Sequence, residues 1–349
     1  MAYTTINKST DHFNTKLYTG NGGTQSITGV GHQPDMVWIK SRSGTTGHTL
    51  WDAVRGTTKW LTPSSTSAEG TYAGGLTAFG TDGFSIGDGG DINTNNATQV
   101  SWNWKANGAG STNTDGNNPN TVTVSANTTA GFSIIKYQGT DTVSQTIGHG
   151  LGVKPKVFIC KNISETDAWI FWADTTGNGT ADKRMVLNST ASDYGNYYPT
   201  FGTSTITLPS TSDNAWNGNG DTIIGYAFAE KVGYSKFGSY TGNGNADGAF
   251  VYTGFKPSFV MVKKSSGNGA WMIADNKRAN PFNPINARLM ANEGTAEVTS
   301  QHWIDFHSNG FKVRTHSGED SAWNGSGATY TYMAFAEAPL VGSNNIPCT

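Results

Sequence analysis

The chain has 349 residues, enough for two or three domains that each bury a core, and its formal net charge is only -2. With 14% charged residues and no cluster of Lys or Arg, the composition excludes a basic surface for nucleic acid or anionic lipid. The 45 glycines, which follow no triplet period, and an aromatic content of 11% exclude collagen and a disordered chain, and they favour many short strands joined by tight turns.

Three segments along the chain share one pattern, in which Gly-x-x-Pro precedes an apolar strand that ends in lysine. The prolines are Pro34, Pro155 and Pro257, and a lysine follows each of them six residues later. Proline suits the entry to a strand because its φ is fixed and it has no N–H to offer to the ladder. The short apolar run behind each proline predicts a buried strand.

Other predicted strands surround each copy of this pattern in the same order. A strand and a polar turn precede it, a second strand follows it, and an aromatic-rich strand closes the copy. The closing strands are predicted at residues 100–104, 223–228 and 330–335. Before two of them, the pairs Asn217-Gly218 and Asn324-Gly325 predict hairpin turns, because Asn-Gly favours positive φ.

This repetition predicts an all-β chain of three tandem β-sandwich modules, jelly-roll or lectin-like, of about 100 residues each. Module 1 is assigned to residues 1–107, module 2 to 130–232, and module 3 with a C-terminal tail to 233–349. Residues 108–129 are mostly Gly, Ser, Thr and Asn and are interpreted as a linker. The best candidate for a short helical turn is residues 286–292.

The acidic and histidine residues form no recognisable catalytic pattern. None of the seven histidines belongs to a G-x-S-x-G elbow or a His-x-x-x-His pair. Glycoside hydrolysis needs two facing carboxylates, and the one Glu-x-Asp match, Glu165-Thr166-Asp167, lies in a predicted polar turn. The sequence therefore predicts a protein that is not an enzyme and that needs no cofactor.

Metal ligands are equally hard to find in the sequence. Asp82, Asp88 and Asp91 lie among glycines and are candidates for Ca²⁺, but their spacing misses the EF-hand pattern and favours a plain turn. Cys160 and Cys348 lie far apart, so neither a disulfide framework nor a zinc site is expected. No metal site is predicted.

Aromatic side chains are the remaining candidates for a functional site. Exposed Trp and Tyr rings bind sugars by stacking, and the candidates for glycan contact are Trp60, Trp216, Trp323, Tyr197 and Tyr198. Trp216 and Trp323 recur in two modules beside similar turns, which favours the alternative that they are buried residues that fill the cores of the modules. Tyr197 and Tyr198 lie in an insert that does not repeat.

Three segments resemble repeat proteins of marine bacteriophages and cyanophages. They are the opening residues 3–11, the stretch 27–40 with its Gly-x-x-Pro strand, and the end 335–342. Proteins of this kind are usually virion structural or tail-fibre-like proteins, some of them with lectin-like sandwich modules. The resemblance covers essentially the whole chain, but it transfers no catalytic or binding residue and does not fix a position on the particle.

We therefore expect a virion structural protein, in the first place a tail-fibre or tail-associated protein that attaches to the host by binding a surface glycan. The alternatives are a capsid decoration or head-fibre protein and, for want of paired carboxylates, with less support, a glycan-cleaving tailspike. The expected partners are other virion proteins, a host glycan and further copies of this chain, without nucleic acid or membrane insertion. The N-terminal residues form no secretory signal, which fits synthesis in the cytoplasm of a host bacterium.

Overall fold

In a computed structural model of the protein, the described residues are 3–210, 213–278, 283–299, 301–314, 320–342 and 344. Strands make up 43% of the structure and helices 4%, which confirms the prediction of an all-β chain. The strands form several antiparallel sheets. Cys348 lies outside the described residues, and Cys160 is a buried free thiol.

The first group of strands, called set 1, builds a four-stranded and a three-stranded sheet. A 3₁₀ turn at Ser9–Asp11 precedes it. Its elements are β1 (Phe13–Thr19), β2 (Gln25–Thr28), β3 (Met36–Ser41), β4 (Thr49–Asp52), β5 (Lys59–Trp60), β6 (Gly70–Thr71), β7 (Leu76–Gly80), β8 (Gly83–Ile86), α1 (Gly90–Asn93) and β9 (Thr98–Trp104). The larger sheet has the order β1-β9-β3-β4 and the smaller one β2-β8-β7, while β5 and β6 form a separate pair.

The second group, set 2, builds a seven-stranded and a three-stranded sheet. Its elements are β10 (Ser111–Asn113), β11 (Val122–Asn127), β12 (Phe132–Gln138), β13 (Thr146–Gly148), β14 (Val157–Asn162), β15 (Ile170–Ala173), β16 (Lys183–Val186), β17 (Thr200–Phe201), β18 (Thr205–Thr207), α2 (Asn214–Asn217) and β19 (Thr222–Phe228). The order is β10-β11-β12-β19-β14-β15-β16 in the larger sheet and β13-β18-β17 in the smaller one.

The third group, set 3, builds a five-stranded and a three-stranded sheet. Its elements are β20 (Ser235–Thr241), β21 (Phe250–Tyr252), β22 (Phe255–Lys264), β23 (Trp271–Asp275), β24 (Leu289–Met290), β25 (Ile304–His307), β26 (Gly310–Val313), α3 (Asp320–Trp323) and β27 (Thr329–Pro339). The order is β20-β27-β22-β23-β24 in the larger sheet and β21-β26-β25 in the smaller one.

The three sets share one strand order and one register. In each larger sheet the closing strand lies between the opening strand and the strand that ends in the repeated lysine. The equivalent pairs are Met36 with Trp104, Val157 with Phe228, and Phe259 with Phe335. This register defines which residues of the three sets are equivalent.

Three local predictions differ from the structure. β10 and β11 lie within the predicted linker, because Val122 and Val124 pack on the core of set 2 while β11 pairs with β12. The predicted hairpin turn at Asn217-Gly218 is the end of helix α2, where Gly218 has a negative φ of -55°. The predicted helical turn at residues 286–292 contains strand β24.

An asparagine that is the last residue of the short helix, or the residue directly after it, is a buried hydrogen-bonding centre in each set. Asn93, Asn217 and Asn324 are fully buried. Each side-chain oxygen accepts a backbone N–H from the turn that follows the opening strand; the donors are Asn21, Thr140 and Asn243. A turn whose N–H groups end inside the fold needs such an acceptor, which explains why the asparagine recurs.

The larger sheets bury both of their faces. On β3, Met36 and Trp38 point to a central core that all three sets share, whereas Val37 and Ile39 point to a core of set 1 alone. Residues of β14 and β22 alternate in the same way between the central core and the cores of sets 2 and 3. The sets therefore form one body, and the long apolar runs of these strands are explained by burial on two sides.

One hydrogen bond recurs at all three interfaces between the sets. The ring N–H donors and their backbone carbonyl acceptors are Trp169 with Thr62, Trp271 with Val186, and His48 with Met290, at 2.9–3.0 Å. Set 2 thus donates to set 1, set 3 to set 2, and set 1 to set 3, which closes a ring. His48 also accepts from the Trp38 indole, and burial lowers the pKa of His48 to about 3, so its imidazole is neutral.

The lysine that ends each repeated strand is buried. Lys40, Lys161 and Lys263 direct their Nζ atoms to backbone carbonyls, among them the next residue's carbonyl in every case. For Lys40 the acceptors are the carbonyls of Ser41 at 2.7 Å and Gly44 at 3.1 Å. The lysine therefore satisfies carbonyls of the following turn, and this explains its place in the pattern.

Candidate functional site

Set 1 contains an open groove of about 370 Å³ beside Thr49 and Trp51 of β4. Its lining residues come from β4, β5, β6, helix α1 and the loops that lead to β7 and α1. They are Thr49, Trp51, Trp60, Thr71, Tyr72, Gly75, Gly89, Gly90, Asp91 and Ile92. A groove of this size with aromatic walls and a few polar groups has the character of a small-ligand site.

Two aromatic rings border the groove where it opens to solvent. Trp60 is half-buried, and Tyr72 is 46% exposed. The Tyr72 hydroxyl donates to Asp88 Oδ1 at 2.9 Å, which fixes the phenol ring and raises the pKa of Tyr72. The rings of Trp60 and Tyr72 are thus held at the mouth of the groove, where an apolar face of a ligand can stack on them.

Glycine permits the close approach of these rings to the backbone. A Cβ atom on Gly70 would lie 2.4 Å from the indole of Trp60, and one on Gly74 would lie 2.7 Å from the Tyr72 hydroxyl. Either contact would push the ring away from its place. The glycines in this segment therefore shape the walls of the groove.

The inner wall of the groove carries two buried polar groups without a protein partner. Trp51 is 3% exposed and Thr49 is 6% exposed. Neither the Trp51 Nε1–H nor the Thr49 hydroxyl has a hydrogen-bond partner among the described residues. Leaving a buried donor unpaired costs about 1–3 kcal/mol, so a ligand that supplies an acceptor here gains that free energy.

The equivalent of Trp51 in set 2 is satisfied within the chain. Trp172 pairs with Phe158 as Trp51 pairs with Val37, so the two indoles occupy the same position. The Trp172 Nε1–H donates to the Tyr197 carbonyl at 3.0 Å. The insert around Tyr197 therefore gives set 2 the acceptor that set 1 does not provide.

The position of Trp60 is taken by arginine in the other two sets. The register places Arg184 and Arg288 there. The guanidinium of Arg184 lies 4.7 Å from the Trp216 ring centroid, and that of Arg288 lies 4.1 Å from the Trp303 ring centroid. These stacks occupy the space that corresponds to the groove of set 1.

A smaller residue on α1 also contributes to the open groove. In the three sets a tyrosine hydroxyl of the opening strand donates to the carbonyl of one helix residue, and these residues are Ile92, Trp216 and Trp323. Ile92 therefore replaces a buried tryptophan. The isoleucine side chain is smaller than the indole ring that fills the equivalent place in sets 2 and 3.

The five aromatic residues predicted to contact glycan lie in different places. Trp60 lines the groove of set 1. Trp216 and Trp323 are fully buried, and Tyr198 packs against the core of set 2. Tyr197 is 41% exposed, but its ring lies 5.8 Å from the Arg184 guanidinium. The structure thus does not bring these residues together, and Trp60 is the one placed at a groove.

The groove residues that were not predicted from the sequence include Thr49, Trp51 and Tyr72. The sequence placed Trp51 in a strand but gave no sign that its N–H lies unpaired. Tyr72 lies two residues after Gly70 in a turn-rich stretch, and an exposed aromatic residue in such a stretch was the available signal.

Two of the acidic residues considered as metal or catalytic groups, Asp82 and Asp167, accept hydrogen bonds from the backbone. Asp82 accepts the backbone N–H groups of Gly29 and Gly31, and these bonds lower the pKa of its carboxyl group. Asp167 accepts from the backbone of Ala168, and burial raises the pKa of its carboxyl group. In the described parts of the chain, no group of three His, Cys, Asp or Glu side chains is placed to hold a metal ion.

Comparisons with known proteins identify a family but no activity. A family model described as a domain of unknown function (DUF7483) matches residues 8–339. Neither the curated proteins nor the solved structures contain a match. Across the described residues, no helix has the length and apolar character needed to cross a membrane.

Proposed function

We propose that this chain, which belongs to the DUF7483 family, is a structural protein exposed on a phage particle that binds a host surface glycan in the groove of set 1. The observation that carries the proposal is the groove itself. Trp60 and Tyr72 stand at its mouth, and it is also lined by Trp51 and Thr49, whose buried indole N–H and hydroxyl have no partner among the described residues. Sugars present apolar C–H faces and many hydroxyl groups, so they match both features.

The proposal includes a fold in which each set is one copy of a β-sandwich module. The support is the repeated pair of sheets, the equivalent register and a separate local core between the two sheets of every set. The central core then joins the three copies into one rigid body. Such a body suits a particle surface, since it presents binding loops on a support that does not deform.

The position on a virion rests on composition and on the resemblance to phage repeat proteins. The low charge content and the many Thr, Ser, Asn and Gly residues are typical of tough extracellular β proteins. A tail-associated attachment protein is favoured because the groove offers a recognition site. A tailspike that cleaves glycans is not favoured, since Asp91 is the one carboxylate that lines the groove among the described residues.

Substitution of Trp60 by alanine is expected to weaken glycan binding at least about tenfold, because the stacking surface is lost. The measurement is binding of the full chain and the variant to a glycan array. Tyr72→Ala removes the second ring and is expected to act in the same direction. Tyr197→Ala is the matched control, since it removes an exposed aromatic ring from set 2.

Equal binding by the wild type and both groove variants would contradict the proposed site. No binding by the wild type at high protein concentration would contradict glycan recognition itself. Cryo-electron microscopy of intact particles tests the location: density on the tail supports attachment, whereas density across the head lattice favours the decoration alternative.

A further inference from the structure

We infer that the groove of set 1 selects an uncharged terminal pyranose over an acidic one and takes one such sugar per chain. This inference rests on the proposed function. It adds the chemical class of the ligand and the stoichiometry, which follow from the charges around the groove and from the filled positions in sets 2 and 3.

The hydrogen-bonding groups of the groove require a ligand with both donors and acceptors. The Trp51 Nε1–H only donates, and an ionised Asp91 carboxylate only accepts. The Thr49 hydroxyl does both. A sugar hydroxyl also does both, so adjacent hydroxyl groups of one ring can accept from Trp51 and donate to Asp91.

The charges around the groove are negative. Asp91 lines it, and Asp88 stands at its edge, bonded to Tyr72. Among the described residues no Lys, Arg or His lines the groove. Lys59, next to Trp60 on β5, already binds Thr71 at 2.8 Å and Glu69 at 3.5 Å. Lys40 interacts electrostatically with Asp91, but its Nζ is buried and bound to the carbonyls of Ser41 and Gly44, so it does not line the groove. A carboxylate on the sugar would thus meet a carboxylate of the protein.

Like-charge repulsion lowers the affinity of the groove for acidic sugars and not for neutral ones. For charges about 5 Å apart near a protein surface, repulsion lowers affinity by about tenfold or more, and salt reduces the effect. A neutral ring escapes this repulsion and keeps the same stacking face. Selection against acidic sugars therefore needs no further contact.

One sugar per chain follows from the contents of the equivalent positions. In set 2 the Trp172 N–H is bonded to Tyr197, and Arg184 stacks on Trp216. In set 3 the place of Trp51 is taken by Ala274, and Arg288 stacks on Trp303. Of the three equivalent positions, the one in set 1 is therefore an open groove, and the other two are closed by the protein's own side chains.

The test uses array glycans in matched pairs whose terminal rings differ only at C6, with a hydroxymethyl group in one and a carboxylate in the other. At low salt the wild type is expected to prefer the neutral member by about tenfold or more. Asp91→Asn is expected to narrow that ratio to within a few-fold. Asp141→Asn, the same charge change at an exposed site in set 2, leaves the ratio as in the wild type.

Each result decides a separate claim. Equal or tighter binding of the acidic members by the wild type overturns this inference and leaves the proposed function in place, provided that Trp60→Ala weakens binding at least about tenfold. Titration of the best-bound neutral glycan in solution is expected to saturate at one per chain, and three per chain overturns the assignment to set 1 alone. Absence of any array binding overturns the proposed function instead.

Discussion

Asp275→Ala is expected to lower the free energy of unfolding by about 3–5 kcal/mol, because it leaves the buried Arg278 guanidinium with one carboxylate partner, Glu297, instead of two and leaves the buried Trp102 N–H without an acceptor. Asp275 Oδ2 accepts from Arg278 Nε at 2.6 Å and from Trp102 Nε1 at 2.9 Å, and both members of the ion pair are fully buried. The Trp102 bond crosses from set 1 to set 3. The substitution therefore removes both an ion pair within set 3 and a hydrogen bond between sets 1 and 3.

The chain contains its own comparison for this prediction. At the equivalent interface between sets 2 and 1, Tyr226 donates to Asp52 at 2.7 Å, and Asp52 binds Arg55. At the third interface the equivalent residues are Met333 and Ala173, and neither side chain is polar. Donor and acceptor are thus present together or absent together, as expected if one alone destabilises the fold.

Equilibrium denaturation of the full chain measures the effect. Asp275→Ala/Arg278→Leu is expected to recover part of the loss, since no buried guanidinium remains and Glu297 keeps its ion pair with Arg42 at 2.7 Å. Asp11→Ala, which removes an exposed partner of Lys8, is the control and is expected to cost less than about 1 kcal/mol. A loss below about 1 kcal/mol for Asp275→Ala would show that the buried pair contributes little.

Stability is expected to increase by about 2–3 kcal/mol between pH 8 and pH 9, opposite to the trend of most proteins. Burial lowers the pKa of Lys40, Lys161 and Lys263 from 10.5 to about 8. Between these values the unfolded chain binds more protons than the folded chain, so the free energy of unfolding rises with pH. This gain in the free energy of unfolding is lost again as the pH falls through 8, because the folded lysines become protonated.

The three lysines act together, which makes the effect large. Their Nζ atoms bind backbone carbonyls, and a neutral amine still has two N–H groups for them. Between pH 8 and 9 the buried Cys160 thiol already acts in the opposite direction, because burial raises its pKa whereas an unfolded thiol titrates at about 8.5, and above pH 9 the buried tyrosines act in the same direction as the thiol. Three lysines outweigh one thiol, so they set the sign of the slope from pH 8 to 9.

Urea denaturation at pH 8.0, 8.5 and 9.0 measures this slope. Lys161→Met is expected to reduce the slope by about one third, since one of the three lysines no longer contributes to the difference in bound protons between the unfolded and the folded chain. Lys8→Met, at a side chain that is 66% exposed, is the control and leaves the slope unchanged. A free energy of unfolding that is flat or falls across the window would contradict charged burial of these lysines at pH 7.

Part of the fold was readable from the sequence because its signals are local. The Gly-x-x-Pro strands end in lysine in all three copies, and the structure places them as β3, β14 and β22. The strand-forming segments and the all-β class follow from residue types and turns. What the pattern did not reveal is that these strands bury both faces, although their unbroken apolar runs are typical of that situation.

Other features depend on contacts between distant residues. Asn217 precedes a glycine, as in a hairpin turn, yet its buried side chain binds the turn at Thr140 and ends a helix. Residues 108–129 have the composition of a linker, yet Val122 and Val124 suffice to fix a strand against the core. In both cases tertiary hydrogen bonding or packing outweighs local preference.

The candidate site was predictable only in part. Trp60 was recognised as an aromatic candidate, but the groove beside it depends on what the other sets hold at equivalent positions. Ile92 in place of tryptophan, and Trp60 in place of Arg184 and Arg288, are visible only once the register is known. The sequence shows that the three repeats differ at these positions, whereas the structure shows that the residues of set 1 leave a groove open there.

The most direct test of glycan binding in set 1 is the indole N–H resonance of Trp51 in a ¹H–¹⁵N spectrum, assigned with Trp51→Phe. When the best-bound array glycan is added, this resonance is expected to shift and its exchange with solvent to slow, because the ligand supplies the missing acceptor. The indole of Trp323, buried in set 3, is expected to stay where it is. A Trp51 resonance that does not move while the glycan is bound elsewhere would contradict the account.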